Sequence, residues 1–224
     1  MDERIKILEK KVEEMDELKK NINILFNENK LLKEEINKIK STIDELIIIP
    51  EYDSKIINKK EKINFILKEI EKAIGSFNNI KLIYRATRDA DSIKMFHSKC
   101  DNIRNTLMIV ETTTGYTFGG FTSVGWNNNR GKDIYDNKAF CFSLNLKKIY
   151  NIINPNYALH IQSDDSRPSF GSNYYVFILG DQFLNAQKSY TQKITDYKGE
   201  SQACEINGGN EYFKVKELEV FQIL

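Results

Sequence analysis

Several groups of side chains in this 224-residue sequence have types and spacings from which chemistry can be built. The first is His97 with Cys100 and Asp101. On a helix, His97 and Cys100 stand three residues apart on one face, so a Cys-His nucleophile couple is one reading. Cys100 also falls on the apolar stripe of the short helix expected between Arg88 and Asp101, with Ile93 and Phe96. There a cysteine serves as a small buried hydrophobe, and that is the expectation. The second group is Glu217 and Glu219 with Asp164 and Asp165. Carboxylates paired across two sheets could divide acid and base roles if their pKa values were split, but carboxylates on strands are expected to face water. Gly119-Gly120 is not followed by Gly-Lys-Ser/Thr, so it predicts close backbone packing or a bulge instead of a phosphate loop. Arg85 and Arg88 lie beside Asp89 and Asp91 and predict an ion-pair cluster holding a helix to a sheet. Trp126 precedes Asn127-Asn128-Asn129-Arg130-Gly131. If exposed, Trp126 and Arg130 would be contact anchors for a partner; if buried, Trp126 belongs to the core. His160 reads as a packed or surface strand residue. No catalytic set emerges, so an enzyme using Cys100 and His97 or the carboxylates is the least favoured class.

Composition narrows the classes further. The 33 basic and 32 acidic side chains leave a net charge of +1, which provides no long-range pull toward nucleic acid or anionic membrane. Cys100, Cys141 and Cys204 are widely spaced, with no CxxC and no Cys/His cluster, so neither a disulfide framework nor a zinc site is expected. The start MDERIKILEK lacks an apolar signal region, and the LIII run at 46–49 is far below membrane-spanning length. The expectation is a reduced, cytoplasmic protein with no cofactor or metal.

The chain is strongly asymmetric. All 11 glycines lie at or after Gly75, and 33 of the first 75 residues are charged. Dense mixed charge without glycine predicts long helix, whereas the Gly- and aromatic-rich remainder predicts a packed β-containing domain. Apolar residues in residues 1–49 step by threes and fours. Ile5, Val12, Ile22, Ile36 and Ile43 take position a; Leu8, Met15, Leu18, Leu25, Leu32, Ile39 and Leu46 take position d. Consecutive three-residue steps around Met15 and Leu18 form a stammer. β-Branched a residues with mostly Leu at d favour two parallel strands, and Asn29 at an a position can bond its counterpart. The g-to-e pairs Arg4–Glu9, Lys11–Asp16, Glu28–Lys33 and Glu35–Lys40 are all of opposite sign. A parallel dimeric coiled coil is therefore expected over 1–49, with Ile22, Leu25, Asn29, Leu32, Ile36 and Ile39 in its seam. The alternative is a single amphipathic helix packed on its own domain. A zipper-like rod also invites a DNA-binding regulator, but no basic region precedes the first heptad.

Pro50 ends the rod. A wider apolar stripe, Ile56, Ile63, Leu67, Ile70 and Ile74, predicts a second helix and connector over 50–80, stopped at Gly75 and lying on a globular surface. Strands are expected at 106–112, 116–123, 138–144, 148–153, 157–162, 173–179 and 212–223, with a turn at Thr113-Thr114-Gly115 and a β-bulge near Lys216-Glu217. Asp91-Ser92 can cap the short helix that follows.

IYRATRDADSIKMFHSKCDN, TLMIVETTTGYTFGGFTSVGW, DNKAFCFSL, SFGSNYYVFI and YFKVKELEVFQI occur in the order found in TLDc domains, so residues 81–224 resemble that module of the oxidation-resistance protein family. The resemblance implies an α+β fold: a two-sheet antiparallel β-sandwich with short flanking helices, here following an N-terminal coiled-coil helix. It implies no agreed enzymatic chemistry, protection against oxidative damage, and binding to the cytosolic sector of the vacuolar proton-pumping ATPase. This sequence has Ala90 where the family usually has Gly after the Arg-Asp pair, and FGSNYY where the family tends to read FGGGHD. Ala90 predicts a turn less free to adopt positive φ.

Overall fold

The computed structural model describes residues 2–46, 53–57, 63–162, 167–172, 176–180, 182–184, 189–193, 195–199 and 201–224. The chain divides into two units, Met1–Ile49 and Pro50–Leu224.

The first unit contains one helix, α1 (Asp2–Leu46). Nothing in its sequence breaks it, since the first glycine is Gly75 and the first proline Pro50. Its own charges support it at helical spacing: Lys19 donates to Asp16 at 3.2 Å, and Lys10 lies 3.9 Å from Glu14. Its large apolar residues from Ile5 to Ile39 face outward, Leu25 and Leu32 among them at more than half exposure.

In the second unit, α2 (Asn64–Ile74) buries Ile66, Leu67 and Ile70 and stops at Gly75, whose φ of 86° lets its amide cap Glu71 O at 2.8 Å. β1 (Ile80–Arg85), α3 (Ala86–Asp89) and α4 (Ile93–Cys100) follow. Ser92 caps α4, its hydroxyl accepting from Met95 N as the sequence predicts. Then come β2 (Thr106–Thr112), β3 (Thr117–Thr122), β4 (Lys132–Ile134), β5 (Phe140–Ser143), β6 (Lys148–Ile152), β7 (Leu159–Ile161), β8 (Pro168–Phe170), β9 (Phe177–Ile178), β10 (Ser189–Tyr190), β11 (Tyr197–Lys198), β12 (Tyr212–Phe213) and β13 (Val215–Ile223).

Among the described residues these strands form two antiparallel sheets, in the orders β1-β13-β2-β3-β5-β6-β11 and β12-β10-β9-β8-β7-β4. The fold is α+β, as expected. Gly115 turns β2 into β3 with φ of 88°. The register of β13 on β2 shifts between Val215 and Glu217, so a bulge brings Val215, Leu218 and Val220 into one core. The single strand expected over 212–223 is in fact two: β12 pairs in the smaller sheet, and the chain changes sheets at Lys214 to enter β13. Two packed sheets can share a short segment only if it crosses between them, and one residue suffices.

Pleating alternates side chains between two interiors. Met108, Val110, Phe118 and Cys141 point between the sheets, where Phe118 meets Phe177 and Phe213 edge-on at 5.4 and 5.2 Å. Leu107, Ile109, Phe121, Phe140 and Phe142 are buried on the other face. α2 lies along that face, its Lys72 and Ala73 lining a concavity with Phe140 and Ile152. The two glycines of β3 are packing residues, as expected. A Cβ on Gly120 would sit 2.5 Å from the Phe170 ring of the opposite sheet, and one on Gly119 1.9 Å from Met108 O.

Ala90 departs from expectation. It adopts φ 87° and ψ 132° despite its Cβ, and its carbonyl accepts from Tyr84 Oη at 3.1 Å. That conformation costs a non-glycine residue about 1–3 kcal/mol. Ala90→Gly removes the strain while adding up to about 1 kcal/mol of unfolded-chain entropy. A net gain of about 1 kcal/mol is expected, read by calorimetry as a Tm rise of roughly 2–4 °C.

Candidate functional site

α4 carries the first sequence candidates. His97 Nδ1 lies 2.7 Å from Asp101 Oδ1 across the helix end, and the imidazole meets the Phe96 ring edge-on at 5.4 Å. Cys100 is fully buried, and burial pushes its thiol well above the ordinary cysteine range. A nucleophilic cysteine needs a thiolate and access; this one is a core residue. Cys141 and Cys204 are buried as well.

The strand carboxylates are a correction. Glu217 and Glu219 do not face water: they are 4% and 0% exposed. They occupy the outer face of β13, where Arg85 of β1 is the direct cross-strand neighbour of Glu219. Arg85 Nε donates to Glu219 Oε1 at 2.7 Å. Its two terminal nitrogens donate to Asp53, at 2.9 Å to Oδ1 and 3.2 Å to Oδ2. Ser54 Oγ and Lys55 N complete the shell of Glu219 at 2.5 and 2.8 Å. The Ser54 hydroxyl also accepts from Ile56 N and Ile57 N, curling the 53–57 strap so that Ile57 is buried. Glu217 accepts from Thr87 Oγ1 at 2.5 Å. Burial works against the Arg85 charge, but the hydrogen bonds with Asp53 and Glu219 outweigh it and raise its pKa. The Arg85 bond holds the Asp53 carboxyl below the usual carboxylate range. The expected ion-pair cluster therefore exists with different members. Arg85 reaches Asp53 and Glu219; Arg88 pairs with Asp89 at 2.6 Å; Asp91 takes the amide of Leu184 at 3.0 Å. Asp164 and Asp165 lie outside the described residues.

Trp126 is also corrected. It is fully buried, wedged edge-on between Phe96 at 5.6 Å and Phe170 at 5.5 Å, with Nε1 donating to Thr106 Oγ1 at 3.2 Å. An indole that bridges a helix and a sheet while bonding its N–H cannot serve as an exposed anchor. Arg130, four residues on, is exposed and lines a surface concavity of about 770 Å³ with Asn127, Asn129, Lys132 and Tyr135.

Three polar clusters escaped the sequence reading. Asp136 is buried and gathers Thr122 Oγ1, Ser123 N, Ser123 Oγ and Lys138 N within 2.7–2.9 Å, tying β3 to the turn before β5. Burial opposes the charge of Glu205, but Lys148 and the Ser201 amide outweigh it and lower its pKa. Asp133 Oδ1 lies 2.7 Å from His160 Nδ1 and accepts from Ser172 Oγ. A hydrolytic relay places histidine between hydroxyl and carboxylate; here one carboxylate oxygen serves both neighbours. Each cluster joins residues at least 13 positions apart except Lys138 and Ser201, so local spacing carries no trace of them. The Asx-like Asp53-Ser54 ahead of Ile56-Ile57 was the one local signal available for the strap.

Among the described residues, no group of three or more His, Cys, Asp or Glu side chains could hold a metal ion. No described helix is long and apolar enough to cross a membrane. Compared with known proteins, residues 51–224 match the family model described as TLDc domain. That match includes the 53–57 strap and α2, which precede the motifs beginning at Lys81. A search of curated proteins returns no match.

Proposed function

The chain belongs to the TLDc domain family, and from that membership we propose that it is a non-enzymatic protein-interaction module of the oxidation-resistance type, working in the cytoplasm. The family match over 51–224 carries this reading. The chemistry of the site is consistent with it. The thiol of Cys100 is buried and kept protonated, His97 is engaged by Asp101, and Glu217 and Glu219 are committed to Thr87, Arg85 and the strap. These groups are used to hold elements together.

The partner that the family suggests is the cytosolic sector of the vacuolar proton-pumping ATPase. On this head the proposed contact is the exposed Arg130 loop with Lys132 and Tyr135, which offers charge and an aromatic ring at the surface. Affinity purification of the full chain from cell lysate is expected to recover ATPase subunits, and Arg130→Glu to reduce their yield while the head still unfolds in one cooperative melt above the assay temperature. Recovery of no pump subunit would sink the partner assignment.

A further inference from the structure

We propose that α1 pairs with α1 of a second copy of this chain, parallel and in register, with Asn29 as the residue that fixes orientation. This inference rests on α1 alone and stands whichever partner the head binds. α1 is a continuous helix over Asp2–Leu46, and its heptad stripe from Ile5 to Ile39 stands in solvent; Ile22, Leu25, Leu32, Ile36 and Ile39 are all about half exposed or more. An apolar seam of that length requires a cover, and a second α1 offers matching knobs and holes.

Charge alone does not set the direction. In a parallel pair Lys11 meets Asp16 and Glu28 meets Lys33 of the other copy. The two halves carry opposite charge patterns, however: g is basic and e acidic before Leu18, and the reverse after it. An antiparallel pair centred between Ile22 and Leu25 would therefore set Lys11 near Glu35 and Asp16 near Lys33. Asn29 breaks this degeneracy. In the antiparallel pair it faces Leu18 of the second copy, twice per dimer, with its amide buried against a methyl surface and unbonded. In the parallel pair it faces Asn29 of the second copy, and the two amides satisfy each other. Ile24, Phe26 and Leu31 lie outside the a and d positions and are exposed too, so a wider assembly of four helices is the competing outcome.

Sedimentation equilibrium of the full chain at micromolar concentration is expected to give twice the 26.1 kDa chain mass. Ile39→Cys should then form a disulfide-linked dimer on mild oxidation. The wild-type chain should not, because its three cysteines are buried. In an antiparallel pair, position 39 would be separated from its counterpart by most of the helix, and no link would form. Adding Asn29→Leu to Ile39→Cys keeps the dimer mass but is expected to lower the linked fraction, as antiparallel pairs become competitive. A monomer mass, a tetramer mass, or a dimer that fails to link at position 39 overturns the proposal. An unchanged linked fraction with Asn29→Leu removes Asn29 from its role.

Discussion

Trp126→Ala is expected to destabilise the head by about 3–5 kcal/mol, seen in thermal melts as a fall in Tm of roughly 6–20 °C. The indole fills the junction where α4 meets the sheets. Its removal strips the edge contacts to Phe96 and Phe170 and leaves Thr106 Oγ1 without its donor. The backbone at residue 126 is held independently of the indole, so the space left behind closes only in part. Asn102 N donates to Trp126 O at 2.8 Å, and Asp101 bridges to the same residue. A partner-binding role would have predicted the opposite pattern: weaker binding at unchanged stability. A melt that barely moves would mean the indole is not core.

Arg85→Leu is expected to cost a similar amount, about 3–5 kcal/mol, because it strands Glu219 as a buried carboxylate without a counter-charge. The double variant Arg85→Leu/Glu219→Leu should recover most of that loss, since a buried ion pair replaced as a unit by apolar side chains is often close to neutral. Urea denaturation of both single variants and the double gives the coupling directly. A second readout follows from Asp53. With the guanidinium gone, its depressed carboxyl pKa should return toward the ordinary range in an NMR titration. A double variant whose loss equals the sum of the two single losses would show that the pair is not coupled.

The features that sequence disclosed were those written in neighbouring residues. The helix at Asp2–Leu46 follows from apolar steps of three and four with no glycine or proline among them, the stop at Gly75 and the turn at Gly115 from positive φ, the Ser92 cap from one hydroxyl ahead of an apolar run, and the bulge in β13 from a slipped alternation. The family motifs identified the head. What stayed hidden depends on residues far apart in the chain. Glu219 looks like any strand carboxylate until Arg85, 134 positions earlier, and Ser54, 165 positions earlier, are folded onto it. Trp126 before three asparagines reads equally as loop or core until Phe96 and Phe170 arrive on either side. The division between β12 and β13 hides because a change of sheet at Lys214 leaves the apolar pattern of an uninterrupted strand almost intact. Ala90 shows the limit of a propensity argument: tertiary contacts impose the backbone conformation the family fills with glycine, and the alanine accepts it at a cost.

The position of β13 has a consequence for how the head comes into being. β13, the last of the described strands along the chain, lies between β1 and β2, which are made before it. During synthesis β2, β3, β5 and β6 can assemble in order as they emerge, each against the one before. β1 has no partner strand to join until β13 has been added, and the Asp53–Ile57 strap has no Glu219 to grip. A nascent chain therefore carries an open sheet edge on β2 and a β1 without a partner strand through more than a hundred further residues of translation. Such an edge is what aggregation and chaperones act on. Vectorial folding thus stops short of completing this head, and a premature stop before β13 would leave β1 without a partner strand and the strap without Glu219.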